Sequence, residues 1–233
     1  MIICIILIAL GAISLVFYLC EKCNKYSLRG VLIKSVVSIL FIATAIAATL
    51  QNPGHKLSIL VISGLILGLL GDIWLDLKYV YPQDDKLYTY AGFIVFGVGH
   101  ILLIIGMLLE FFSGWSSWLL LIPFGAAILF SLANLLLEKP MKLTFKDYKV
   151  IVSIYAFLLA LNPFTSLLLC ILTGFKVTSL VMLFVGGVLF AVSDLVLCNT
   201  YLGKGHEKPL DFIHNYVTYY GAQFVIAFSV LFL

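Results

Sequence analysis

The sequence is short of charge. Asp, Glu, Lys and Arg make up 11% of its 233 residues, and 63% are hydrophobic. A soluble domain carries about 25% charged residues, and none of this size has interior enough to hide so many apolar side chains. A soluble globular protein is therefore excluded, and the bilayer is the solvent for most of the surface. Histidine is scarce as well: His55, His100, His206 and His214 are all there are. Neither a His-Glu-x-x-His helix nor a Gly-x-Ser-x-Gly turn occurs, which argues against a zincin and against a serine hydrolase of the nucleophile-elbow type. The cysteines are Cys4, Cys20, Cys23, Cys170 and Cys198. Only Cys20 and Cys23 have metal-like spacing, and the second ligand pair a zinc site needs is missing. They are read as structural thiols in a reducing compartment. No basic residue precedes the first apolar run and no small-residue cleavage site follows it, so it is read as a retained helix and not a signal peptide.

What the chain does have is apolar runs of about 20 residues, each long enough to cross roughly 30 Å of hydrocarbon. They fall at about 2–19, 31–50, 57–75, 88–109, 117–137, 148–172, 178–198 and 212–232. Backbone polar groups in lipid must pair within their own segment, and no alternating pattern suggests a barrel. The expected fold is all-α, a polytopic membrane bundle of eight transmembrane helices forming a single domain over 1–233. Orientation follows from the basic residues. With the N-terminus outside, the inner side holds Lys22, Lys25, Arg29, Lys34, Lys78, Lys86, Lys139, Lys142, Lys146, Lys149, Lys204 and Lys208, and the outer side holds only Lys56 and Lys176. This asymmetry supports an even helix count with both termini outside. A short, loop-poor chain fits a bacterial inner membrane, although an endoplasmic reticulum protein has the same look.

Ionisable groups inside a bilayer cost at least roughly 2.5–3.5 kcal/mol by insertion scales, so they mark candidate sites. Asp72 and Asp76 lie in the third helix, His100 in the fourth, Tyr155 and Asn162 in the sixth. Asp194 and Asn199 lie at the end of the seventh; His214, Asn215, Tyr216, Tyr219, Tyr220 and Gln223 lie in the eighth. The third and seventh helices run the same way, which puts Asp72 and Asp194 about 5–8 Å above the inner boundary at 1.5 Å per residue. Lys34, His214, Asn215 and Tyr216 begin helices rising from that boundary, so one polar pocket opening to the inner leaflet is expected. Asp76, one turn below Asp72, is read as a solvated or paired boundary residue. Gly64, Gly68 and Gly71 lead to Asp72, and Gly187 and Ala191 lead to Asp194. Small residues at this spacing let helices approach, and here they are expected to bring the two aspartate-bearing helices together. The likeness of the segments ending at Asp72 and Asp194, four helices apart, hints at two parallel four-helix halves.

Four stretches carry a resemblance to a known family: Gly68-Leu-Leu-Gly-Asp72, Phe96-Gly-Val-Gly-His100, Gly187-Val-Leu-Phe-Ala-Val-Ser-Asp194 and Tyr219-Tyr-Gly-Ala-Gln223. In that order and approximate spacing they resemble the YhhN family, which includes the mammalian lysoplasmalogenases. The chain departs from the family at Lys34-Ser35, where Lys-Pro is frequent, and at Leu103 and Ile104, where an aromatic residue often follows the histidine. The resemblance implies hydrolysis of the vinyl ether bond of a lysophospholipid drawn from the membrane, giving a fatty aldehyde and a glycerophospho-alcohol. It implies Asp72 and Asp194 as the catalytic pair.

The chemistry fits two acids. A vinyl ether is cleaved by protonation of its β-carbon, which gives an oxocarbenium ion that water then captures. Two carboxyls in a low-dielectric hollow repel each other as anions, so one holds a proton while the other ionises. A separation of about 5–9 Å is expected by analogy with glycosidases. His100 is expected to orient water or one carboxylate. Asn215, Tyr216, Tyr219, Tyr220 and Gln223 would bind the acids or the glycerol oxygens, and Lys34 and His214 would meet a phosphate. For each of these the alternative is an ordinary interhelical hydrogen bond. No metal, cofactor or nucleic-acid partner is expected. Three other readings stand beside this one: a metal-dependent lipid amidase, a proton- or cation-coupled transporter, and a purely structural membrane protein.

Overall fold

The computed structural model describes residues 1–24, 27–140, 143–202 and 209–233. The expected inner charges Lys25, Lys142, Lys204 and Lys208, and His206, lie outside the described residues. Eight helices run through the described residues: α1 (Ile2–Asn24), α2 (Leu28–Gln51), α3 (Lys56–Val80), α4 (Asp85–Phe111), α5 (Leu121–Leu136), α6 (Lys149–Leu172), α7 (Thr178–Leu202) and α8 (Pro209–Ser229). No strand occurs among the described residues. Seven of them, α1 to α7, are long and apolar enough to cross a bilayer. The eighth carries Asp211, His214, Asn215 and Gln223 along with three tyrosines, and these lower its hydropathy.

The helices exceed the apolar runs mainly at the lysine-rich end. The first run stops near residue 19, but α1 continues to Asn24. Ser27 then opens α2 by accepting the Gly30 N–H at 3.1 Å, which satisfies one of the helix's orphan donors. At the opposite end Glu110 of α4 accepts the Lys56 N–H at 3.1 Å and meets His55 Nδ1 at 2.7 Å, and so caps α3 from its neighbour. Both termini sit at that end. The Met1 amino group contacts Gln51, and Asn52 donates to the Leu233 carbonyl at 2.8 Å.

Packing repeats along the chain. The first half joins α1 to α2, α2 to α3 and, most extensively, α3 to α4; the second half joins α5 to α6, α6 to α7 and α7 to α8 in the same order. The halves are then tied by α4 against α6 and α8 against α2. This is the parallel two-fold pattern that the paired motifs hint at, and it places Asp72 and Asp194 on the third helix of each half. Large apolar side chains such as Ile13, Leu32, Ile39, Leu129 and Leu136 point outward, as lipid-facing residues do.

The glycines do not join α3 to α7, contrary to the expectation from their spacing. A side chain at Gly64 would meet the Gly99 carbonyl of α4, and one at Gly71 would meet the Phe96 ring of α4. Gly186 lies against Ile226 of α8 and Gly187 against Pro163 of α6. The stripes seat each aspartate helix on other partners, and α3 and α7 make no extensive contact. A cavity, not a packed seam, is what the two aspartates share.

Candidate active site

That cavity measures about 110 Å³, and both Asp72 and Asp194 line it. At ~10–15 Å³ per water it has room for several waters. Its walls are Leu75, Phe93, Phe96, Phe130, Val152 and Leu159, and Lys34, Asn215, Tyr216 and Tyr219 add polar atoms.

The two acids have different surroundings. Asp72 is 3% exposed. Its Oδ1 pairs with Lys34 Nζ at 3.2 Å, and its Oδ2 accepts from the Ser38 hydroxyl at 2.6 Å and the Tyr219 hydroxyl at 3.0 Å. Lys34 Nζ also donates to the Asp72 carbonyl at 3.3 Å. Asp194 is half-buried. It accepts hydrogen bonds from the hydroxyls of Tyr155 and Ser193, and among the described residues it makes no ion pair. One carboxyl thus has a lysine counter-charge and two hydroxyl donors, while the other has hydroxyls alone.

Lys34 is held from its far side too. Its Nζ lies 3.4 Å from Asp76 Oδ1, and Lys22 of α1 reaches the same oxygen at 3.0 Å. Tyr18 donates to Asp76 Oδ2 at 2.8 Å. Two lysines and two aspartates therefore alternate in a buried, neutral chain. Taking ions out of water costs several kcal/mol each, and only close pairing with full hydrogen bonding offsets that. Asp76 is accordingly paired and buried, not solvated. Lys34, expected to meet a phosphate, is 3% exposed and already committed to two carboxylates.

The remaining candidates divide. Asn215 donates to the Ser193 carbonyl at 2.9 Å and so steadies the segment bearing Asp194. Gln223 donates to the Tyr219 hydroxyl at 3.0 Å, which leaves that hydroxyl's proton for Asp72. Tyr216 approaches Asp76 at 3.5 Å, and Tyr220 lies 3.4 Å from Ser38 Oγ. His100 is buried but outside the cavity lining. Its Nδ1 meets the Asn162 amide at 3.2 Å and its ring packs on Phe190 at 4.8 Å, so it touches neither acid. Asn199 does not line the cavity. His214 is exposed and does not line the cavity, so the structure does not bring it to the two acids.

Sequence reasoning missed Ser38 and left Tyr155 outside the site. Ser38 stands one helical turn beyond Lys34, so it shares that face; the spacing was the available signal. Among the described residues no three His, Cys, Asp or Glu side chains gather as metal ligands do.

The fold and the cavity define a class: a polytopic helical membrane protein with acidic side chains, Asp72 and Asp194 among them, lining one hollow. Within that class the chain belongs to the YhhN family, whose sequence profile matches residues 30–230. No curated protein and no solved structure matches the chain.

Proposed function

We propose that the protein hydrolyses the vinyl ether bond of single-chain ether phospholipids, with Asp194 as general acid and Asp72 as general base. The observation that carries this reading is the unequal pairing of two carboxyls on one cavity. A carboxyl without a counter-charge in apolar surroundings keeps its proton, and one beside a lysine and two hydroxyl donors ionises. This is the division of labour that glycosidases use around an oxocarbenium-like transition state.

Asp194 gives its proton to the β-carbon of the vinyl ether, and the electron pair of the double bond forms the new C–H bond. The ether oxygen shares a lone pair with the adjacent carbon, producing the oxocarbenium ion. A cavity water adds to that carbon and passes a proton to Asp72, leaving a hemiacetal. The hemiacetal breaks when Asp72 returns its proton to the ether oxygen and the hydroxyl proton goes to Asp194. Aldehyde and alcohol depart, one water has been consumed, and both acids regain their starting states. Tyr219, oriented by Gln223, fixes Asp72; Tyr155 and Ser193 fix Asp194.

The test is aldehyde release from lysolipids with a vinyl ether, an ester or an alkyl ether at the same position. Only the vinyl ether should yield aldehyde. Asp72→Asn and Asp194→Asn should each lose about 10²–10⁴-fold, the usual contribution of a positioned acid or base. Equal cleavage of the ester lipid would overturn protonation at carbon.

A further inference from the structure

The same cavity has a second charged feature that the mechanism above does not use. Lys78 of α3 and Asp85 of α4 both line it, and their side chains pair at 3.4 Å. Lys78 is the deeper partner, with its side chain 12% exposed, and Asp85 is the outer one at 47%. The Thr89 hydroxyl donates to Asp85 Oδ1 at 3.3 Å and the Tyr148 hydroxyl to Oδ2 at 3.4 Å; Thr89, Tyr148 and the Asn134 amide line the cavity as well. Beside the two acids the cavity therefore holds a largely buried cation and, more exposed, an anion ringed by hydrogen-bonding groups.

We propose that Lys78 and Asp85 form a subsite for a zwitterionic phosphoethanolamine head group, with Lys78 taking the phosphate and Asp85 the primary ammonium. This rests on the vinyl ether reading of the acid pair. Spacing supports it. Lys78 lies six residues beyond Asp72, about 9 Å along the helix. Five bonds separate the ether oxygen of such a lipid from phosphorus, about 6 Å when extended. Order supports it too, since phosphate precedes amine along the head group as the lysine lies deeper than the aspartate. A part-exposed ion pair is weakly held, so it opens readily to exchange partners with a ligand. A primary ammonium donates hydrogen bonds to a carboxylate. A trimethylammonium cannot, and calls instead for a cage of aromatic faces, whereas the groups bonded to Asp85 here are two hydroxyls and a lysine.

Binding of non-cleavable alkyl ether lysolipids to the full chain in nanodiscs tests this without relying on catalysis. The probes are alkyl lysophosphoethanolamine, alkyl lysophosphocholine and 1-O-alkylglycerol. The wild type should prefer the ethanolamine lipid to the choline lipid by about tenfold, and Asp85→Asn should bring that ratio close to one. Lys78→Gln should weaken both phospholipids about tenfold relative to alkylglycerol, which reports an intact cavity. Lys78→Asp combined with Asp85→Lys keeps an ion pair but reverses its polarity, and should not restore ethanolamine binding. Restoration by that swap would make the pair a structural tie and overturn the subsite, as would an unchanged preference in Asp85→Asn. Vinyl ether cleavage is followed in parallel. Head-group selectivity without aldehyde release would overturn the hydrolase reading alone; aldehyde release without selectivity would overturn the subsite alone.

Discussion

Lys34 shows how one side chain sets the state of a site. It stands between Asp72 at 3.2 Å and Asp76 at 3.4 Å, and removing it strands whichever acid has no other cation. Breaking a buried pair costs about 3–5 kcal/mol because an uncompensated charge is left behind. Lys34→Met should therefore lower stability by about that amount, read as thermal unfolding in detergent. Asp76 retains Lys22 at 3.0 Å, so Asp72 is the stranded residue. Adding Asp72→Asn should recover more stability than adding Asp76→Asn. Equal recovery by the two would mean that the lysine is shared evenly. This residue also marks where sequence reading fell short. Its position near a helix start was legible and suggested a surface contact, but the direction of its side chain depends on where α3 and α8 stand, which no local pattern encodes. His214 failed for a simpler reason. The buried polar and tyrosine side chains of α8 include Asn215, Tyr216, Tyr219, Tyr220 and Gln223, a helical stripe that was present in the sequence and that leaves His214 on the outward face.

At the scale of the helix, the glycines set which neighbours come close. A Cβ on Gly71 would fall 2.4–2.7 Å from three atoms of the Phe96 ring. That ring is itself held edge-on to Tyr219 at 6.0 Å, so it has little room to retreat. Gly71→Ala should cost about 1–3 kcal/mol, as overpacking does. It should also reduce activity by shifting the tyrosine that donates to Asp72. Gly221 has open space around its missing Cβ, so Gly221→Ala serves as the control and should stay within about 0.5 kcal/mol of the wild type. Matching losses in a melting assay would refute the packing argument. All eight helices were legible, seven of them because apolar length is itself the requirement of the bilayer; the polar side chains of α8 leave it short of that measure. The partners of the glycine stripes were not, because a small residue says that something comes close without saying what.

For the whole molecule, the alternating helices sort the connections into two ends, and the paired termini share one of them with His55 and Glu110. The lysine-rich opposite end should face the cytoplasm. In a cysteine-free background, a thiol introduced at Gly114 should react with an impermeant maleimide on intact cells, and one at Asp84 only after lysis; the reverse would invert the topology. The two-fold repeat of packing gives the halves the same outline but different fittings. The first half holds its acid with charge and the second holds its acid with hydroxyls, so a symmetric frame yields an asymmetric pair. The helix least suggestive of function has its own consequence. The family match begins at residue 30, beyond α1, but α1 delivers Tyr18 and Lys22 to Asp76. A protein trimmed to the matched span would keep every candidate acid and lose half the clasp around Asp76. The remaining lysine would then be drawn towards that acid and away from Asp72. The first helix is in this sense a remote tuner of the Asp72 carboxyl, and shortening the gene to its recognisable portion would disturb the acid pair before it unfolded the bundle.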